Sequence, residues 1–152
     1  MRMAYSLIDR LEPMPPDLPK YSLPEIERRW DVSNVPSLEG LHFREIEDRY
    51  FTGTRLRLRR ICALGEMPIY KLCKKYGAVS NLTEPITNIY LTEPEFATFE
   101  NIPAEVVRKR RYAFAGGSLD ISDDGEARFE REFLSEDEAL SYVPPEFVGE
   151  ER

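Results

Sequence analysis

Glu25-Ile26-Glu27-Arg28-Arg29 sets two carboxylates and a guanidinium at alternate positions, directly after Pro24. On a strand, successive side chains point to opposite faces, so Glu25, Glu27 and Arg29 share one face. A close carboxylate pair suits a hard divalent cation, which takes oxygen ligands. An arginine beside the pair suits a phosphate that the same cation would bridge. Taken alone, the pattern also fits an ordinary solvated strand face, so the rest of the chain must decide its meaning.

Arg55-Leu56-Arg57-Leu58-Arg59-Arg60-Ile61 repeats the alternation with positive charge. As a strand it puts Arg55, Arg57 and Arg59 on one face and Leu56, Leu58 and Arg60 on the other. Like charges along one face repel, and either a bound anion or neighbouring Asp and Glu must offset them. Other stretches add charge of both signs. Residues 69–76 supply Lys71, Lys74 and Lys75, and 106–114 put Lys109 and Arg111 on one face. Asp120 lies in 118–121. In 127–133, Glu130 and Glu132 stand opposite Phe129, Arg131 and Phe133.

These residues need strands to position them. The sequence predicts strands over 25–32, the end of 42–51, 55–63, 69–76, 86–91, 106–114, 118–121 and 127–133. Turn chemistry separates them at Thr52-Gly53-Thr54, Gly65-Glu66-Met67-Pro68, Gly116-Gly117 and Asp123-Asp124-Gly125. Thr92 with Glu95, and Ser135 with Glu138, have capping-box spacing and predict two short helices, the second ended by Pro144-Pro145. Phe96, Phe99 and Ile102 form the first helix's apolar face. Ser33 and Asn34 offer helix-start chemistry for the connection 33–40. Residues 1–22 read as a Pro-rich leader with a short helix at 4–11, stopped by Pro13, Pro15, Pro16 and Pro19. Residues 23–152 read as one domain.

Strands whose charges fall on one face point to a closed barrel or strongly curved sheet with a polar interior. Glu25, Glu27, Glu130 and Glu132 would line one side of it. Arg29, Arg55, Arg57, Arg59, Lys74, Lys109 and Arg111 would line the rest. Such an interior is costly when empty and well suited to a polyanion with a divalent metal.

Composition narrows the classes. Lys+Arg 21 against Asp+Glu 28 leaves a net charge of −7, which argues against broad nucleic-acid binding. No apolar run is long enough to span a bilayer, and no secretory signal pattern opens the chain. Cys62, Cys73 and the one histidine, His42, do not make a zinc site. The cysteines read as reduced core residues of a cytoplasmic protein.

Several motifs in order resemble the CYTH superfamily, the triphosphate tunnel metalloenzymes. Glu25-Ile26-Glu27-Arg28-Arg29 stands where that family has ExExK. Tyr50-Phe51, then Leu56-Arg57-Leu58-Arg59, are similar to its Tyr-Leu and LRxR elements. Lys74 fits its strand lysine, Lys109-Arg110-Arg111-Tyr112 its K-x-R-Y strand, and Asp120 its acidic strand. Glu130-Arg131-Glu132-Phe133, the acidic helix and Pro144-Pro145 follow in register. The likeness runs from about residue 25 onward. It implies a mainly β, α+β fold: a closed eight-stranded antiparallel barrel, the triphosphate tunnel, with short flanking helices.

The resemblance also implies chemistry. Glu25, Glu27, Asp120, Glu130 and Glu132 would hold Mg²⁺ or Mn²⁺. Arg29, Arg55, Arg57, Arg59, Lys74, Lys109 and Arg111 would hold phosphate, with Arg29, Glu27 and Glu132 catalytic. The expected activity is metal-dependent hydrolysis of a triphosphate, inorganic triphosphate first. The alternatives are a weakly catalytic nucleotide- or polyphosphate-binding module and a CYTH-type adenylyl cyclase. The partner is a small-molecule triphosphate or nucleotide, with no membrane; a homodimer is compatible with this. The chain departs from the pattern in four ways. Arg29 replaces the motif lysine. Pro85-Ile86-Thr87-Asn88 offers no second glutamate pair. The hairpin after Asp120 is short. The sequence ends at Glu150-Glu151-Arg152, which implies a more open tunnel.

Overall fold

A computed structural model describes residues 18–152. The helix expected at 4–11 and the first three leader prolines lie outside the described residues. Eight strands form: β1 (Leu23–Val32), β2 (Arg44–Phe51), β3 (Leu56–Ala63), β4 (Ile69–Lys75), β5 (Thr83–Leu91), β6 (Ala104–Phe114), β7 (Gly117–Ser122) and β8 (Ala127–Phe133). They close into a barrel in the order β1-β5-β4-β3-β2-β6-β7-β8. Every neighbouring pair is antiparallel. Two short helices flank it, α1 (Glu93–Phe99) and α2 (Glu136–Ser141). This is the closed eight-stranded architecture expected from the motifs. No helix of the described residues is long and apolar enough to cross a membrane.

The apolar core lies outside the barrel wall. Trp30, Val32, Tyr112, Leu119, Ala127 and Phe129 form one buried cluster, covered by Tyr142, Phe147 and Val148. Phe51 and Leu58 form another with Phe96 of α1. Strand alternation therefore works in reverse of a small filled barrel: apolar side chains face outward under the flanking segments, and polar ones face inward. The α1 cap is complete. Thr92 accepts from the Glu95 N–H, and the Glu95 carboxylate accepts from the Thr92 N–H.

Two expectations change. Residues 33–40 form bends and turns and no helix. Pro36 biases Val35 to an extended backbone, and Gly40 at φ 77 turns the chain, which leaves no room for a helical turn. β5 begins at Thr83, three residues before the expected start, and includes Glu84 and Pro85. Pro85 sits opposite Pro24 of β1. The Tyr76 N–H still donates to the Pro85 carbonyl at 3.0 Å. The Tyr76 carbonyl, which an N–H at position 85 would have served, accepts instead from Arg55 Nη1 at 2.8 Å. A strand proline is tolerated because a guanidinium supplies the missing donor.

The β1–β5 seam is short, running only from Leu23↔Ile86 to Ile26↔Thr83. Residues 149–152 extend it along β1. Gly149 N–H donates to Asp31 O at 2.7 Å, Asp31 N–H to Glu150 O at 2.8 Å, and Arg152 N–H to Arg29 O at 2.8 Å. Arg28 grips Glu151 with two hydrogen bonds of 2.8 Å, so this segment braces the strand that carries the first motif.

Candidate phosphate and metal site

The inward parity of the strands builds a cavity of about 870 Å³. That is within the range of small-molecule sites, but this one is lined mostly by charged side chains. β1 contributes Glu25, Glu27 and Arg29, and β3 contributes Arg57 and Arg59. β4 contributes Lys71 and Lys75, β6 Lys109 and Arg111, β7 Asp120, and β8 Glu130 and Glu132.

One side is a basic wall. Arg57 and Arg59 are buried, with Asp48 of β2 as their counter-charge. Arg59 donates to both Asp48 oxygens, at 2.6 and 2.8 Å, while Arg57 Nε lies 3.8 Å from the same carboxylate. Burial alone would raise the Asp48 carboxyl. The Arg59 hydrogen bond and the charges of Arg59, Arg57 and Lys109 outweigh it and hold the group at about 2. The Nε of Arg57 has no hydrogen-bond partner among the described residues. Lys71 of β4 pairs with Arg59 of β3 and lines the cavity, and no described carboxylate is within ion-pair distance of it. Burial lowers its ammonium, and the charges of Arg59 and Arg57 lower it further. A buried wall with one shared carboxylate for two arginines is short of negative charge.

Asp120 serves a second basic group. Arg111 donates to both its oxygens at 2.8 Å, and Lys109 Nζ lies 3.0 Å away. Burial works against its charge, but Arg111 and Lys109 still hold its carboxyl below the ordinary range.

The other side is a carboxylate group. Glu25, Glu27 and Glu132 each offer an oxygen within 4.8 Å of the others'. The register explains the convergence, since Glu27 pairs directly with Glu132 across β1 and β8. The Glu27 carboxyl is pushed up to about 8. Burial is the largest cause, followed by the charges of Glu130 and Glu25; Arg29 and Lys75 pull the other way. Three converging carboxylates, one pushed toward its proton by burial and by the charges of Glu130 and Glu25, fit a hard divalent cation with oxygen ligands.

The expected residues are not all gathered at one point. Arg29 lies 3.3 Å from Glu27, beside the carboxylates. Glu130 lines the cavity and approaches Arg111 at 3.6 Å. Asp120 stands with the arginines, outside the three-carboxylate group. Arg55 is buried but engages the Tyr76 carbonyl rather than the cavity lining. Lys74 faces outward. It pairs with Leu56 while Cys73 pairs with Arg57, so the inward parity of β4 belongs to Lys71, Cys73 and Lys75. Lys74 Nζ instead lies 5.9 Å from the Tyr76 ring.

Sequence reading missed Asp48 and Glu84, and it noted Tyr50 in a motif without giving it a place in the site. Glu84 lies opposite Glu25, and both approach Lys75, at 3.9 and 3.5 Å. Its signal was the alternation Glu84-Ile86-Asn88, masked by Pro85. Asp48 and Tyr50 carried the same alternation in β2, hidden within a run of mixed charge.

No protein-family model matches the chain, and no curated protein matches it. It is similar to two solved structures of NE1496, one described as a hypothetical protein and one as an inorganic triphosphatase. Each shares 26% identity and covers 84% of this chain. The match spans 88% of the first structure's chain at a TM-score of 0.47, and 85% of the second's at 0.46.

Proposed function

We propose that this protein is a divalent-cation-dependent hydrolase of a short phosphate chain, with inorganic triphosphate as its first substrate. The observation that carries this reading is the division of one cavity. Three converging carboxylates share the cavity with a basic wall that has fewer carboxylates than cations, Asp48 for Arg57 and Arg59 and Asp120 for Lys109 and Arg111. A bare anion would suit the wall and be repelled by the carboxylates. A cation alone would suit the carboxylates and leave the wall unbalanced. A polyphosphate with a divalent ion satisfies both.

Arg57, Arg59, Lys71, Lys109 and Arg111 would bind and orient the phosphate oxygens, and the arginines would offset charge that builds on the leaving phosphate. Arg29, beside Glu27, would contact the phosphate next to the carboxylates. Glu25, Glu27 and Glu132 would hold Mg²⁺ or Mn²⁺, whose chemistry when bound is to polarise phosphoryl oxygens and to orient a water. The buried site would keep bulk water from screening these interactions.

The test is phosphate release from inorganic triphosphate with Mg²⁺, with Mn²⁺ and with chelator, in wild type, Glu27→Gln and Glu132→Gln. Cation-dependent release that is lost in both variants is expected. Release in chelator, or full activity in both variants, overturns the reading.

A further inference from the structure

Lys75 is a cavity cation held loosely between two carboxylates. It is the last residue of β4 and pairs with Ile86 of β5. Glu84, two residues along β5, is its diagonal neighbour, and Glu25 lies directly opposite Glu84 on β1. A lysine stem spans that separation, so one ammonium serves both groups. Lys75 Nζ is 3.5 Å from Glu25 and 3.9 Å from Glu84. Neither distance is that of an ordinary hydrogen bond. By contrast, Arg59 and Arg111 each donate to both oxygens of Asp48 and Asp120, at 2.6 to 2.8 Å. The guanidinium fork locks those pairs, whereas an ammonium is a point charge on a flexible stem.

The two carboxylates beside Lys75 differ. Glu25 belongs to the converging group with Glu27 and Glu132, and Glu84 does not. Glu84 Oε2 instead accepts from the Gly77 N–H at 3.2 Å. Gly77, at φ 98, turns the chain two residues past Lys75, so this bond ties Glu84 to the end of β4. The side chains of Lys75, Glu25 and Glu84 are only 18 to 24% exposed, and water screens them incompletely. The Lys75 charge also reaches Glu27: burial pushes that carboxyl up, and Arg29 and Lys75 pull it back.

We infer that Lys75 is a built-in counter-ion of the carboxylate group, which exchanges from Glu25 to Glu84 when a divalent cation binds. The inference rests on the metal reading above and adds a control on the same site. With a divalent ion on Glu25, Glu27 and Glu132, Lys75 would stand beside a like charge. Glu84 gives its ammonium a partner outside the group, so Lys75 need not be left unpaired in the cavity. Lys75 therefore competes with the cation, and Glu84 is a positioning residue that eases the exchange. A monovalent ion would trade one positive charge for another and gain little, so the same ammonium favours a doubly charged ion.

The experiment is calorimetric titration of Mn²⁺ into the chelator-treated full chain. The proteins are wild type, Lys75→Met, Lys75→Arg, Lys71→Met, Glu84→Gln and the Lys75→Met/Glu84→Gln pair. Lys75→Met is expected to bind Mn²⁺ about tenfold tighter than wild type. Lys75→Arg keeps the charge and is expected to bind no tighter than wild type. Glu84→Gln is expected to bind more weakly, but to have no effect in the Lys75→Met background, because Glu84 acts through Lys75. Lys71→Met removes a cavity charge that has no described carboxylate within ion-pair distance, and is expected to change Mn²⁺ binding less than Lys75→Met. Unchanged affinity in Lys75→Met overturns the inference, as does equal tightening in Lys71→Met. So does the same loss from Glu84→Gln in both backgrounds, which would make Glu84 a ligand in its own right. These three results leave the metal reading intact. Failure of wild type to bind Mn²⁺ overturns the metal reading, and the exchange with it. Trp30 fluorescence during heating confirms that each variant is folded, and Lys75→Arg keeps the comparison open where Lys75→Met unfolds.

Discussion

Asp48→Asn tests whether the basic wall is held in place by one carboxylate. Asp48 is fully buried and accepts two hydrogen bonds from Arg59, with Arg57 3.8 Å away. Its carboxyl falls from the ordinary 3.8 to about 2 on folding. At 1.36 kcal/mol for each tenfold change in proton affinity, that difference is worth about 2.5 kcal/mol. It compares the charged carboxyl with its own neutral form. The Asn variant also leaves Arg57 and Arg59 buried without their counter-charge, and breaking a buried pair from one side costs about 3–5 kcal/mol. The larger figure applies to the mutant. For a chain of this size it corresponds to a melting temperature lower by roughly 6–20 °C.

Trp30 is the one tryptophan and is packed between Phe129 and Tyr142, so its fluorescence reports thermal and urea unfolding. The sign with pH follows from the lowered carboxyl. The Asp48 contribution is complete above 3.8 and is lost as pH falls toward about 2. The gap between wild type and variant should therefore narrow across that window. Inorganic triphosphate should raise the melting temperature of Asp48→Asn more than that of wild type, because the anion replaces the missing charge. A loss below about 1 kcal/mol, small against the cost of a broken buried pair, would refute the reasoning. So would an equal response to triphosphate in the two proteins.

Two other outcomes follow from the same site. Glu27 has a folded-state carboxyl raised to about 8 from 4.5, so its protonated form stabilises the fold below 4.5 and that contribution disappears as pH rises through 8. In chelator, Glu27→Gln should melt higher than wild type at pH 9 and about equally at pH 4; a lower melting temperature at pH 9 contradicts the crowding of the carboxylates. Lys71→Met should weaken inorganic triphosphate binding by tenfold or more, since a charge-assisted contact is worth about 1.5–3 kcal/mol, whereas Lys74→Met should leave it unchanged. Titration of both variants checks this, and equal losses would mean that the β4 register is misread.

Much of the architecture was legible because strand geometry has a fixed period of two. Arg57 and Arg59 alternate with Leu56 and Leu58, and Glu130 and Glu132 alternate with Phe129, Arg131 and Phe133. Each run therefore separates a polar face from a largely apolar one without reference to a partner. Helix α1 was legible for a local reason too, because Thr92 and Glu95 complete their cap within four residues.

β4 is where local pattern gives out. Lys71, Lys74 and Lys75 do not alternate, so no face is marked in the sequence. The pairing of Cys73 with Arg57 assigns Lys71 and Lys75 to the cavity and Lys74 to the outside. A shift of one residue in that register would reverse the assignment. Glu84 was hidden for a related reason. Pro85 reads as a strand breaker until Arg55, thirty positions earlier, is seen donating to the carbonyl that the proline cannot serve. The same dependence governs the carboxylates. The sequence by itself determined which side chains share a strand face, because that follows from the bond geometry of one chain. Which faces meet, that Glu132 joins Glu25 and Glu27 while Asp120 goes to Arg111, depends on long-range pairing, and only the closed barrel decided it.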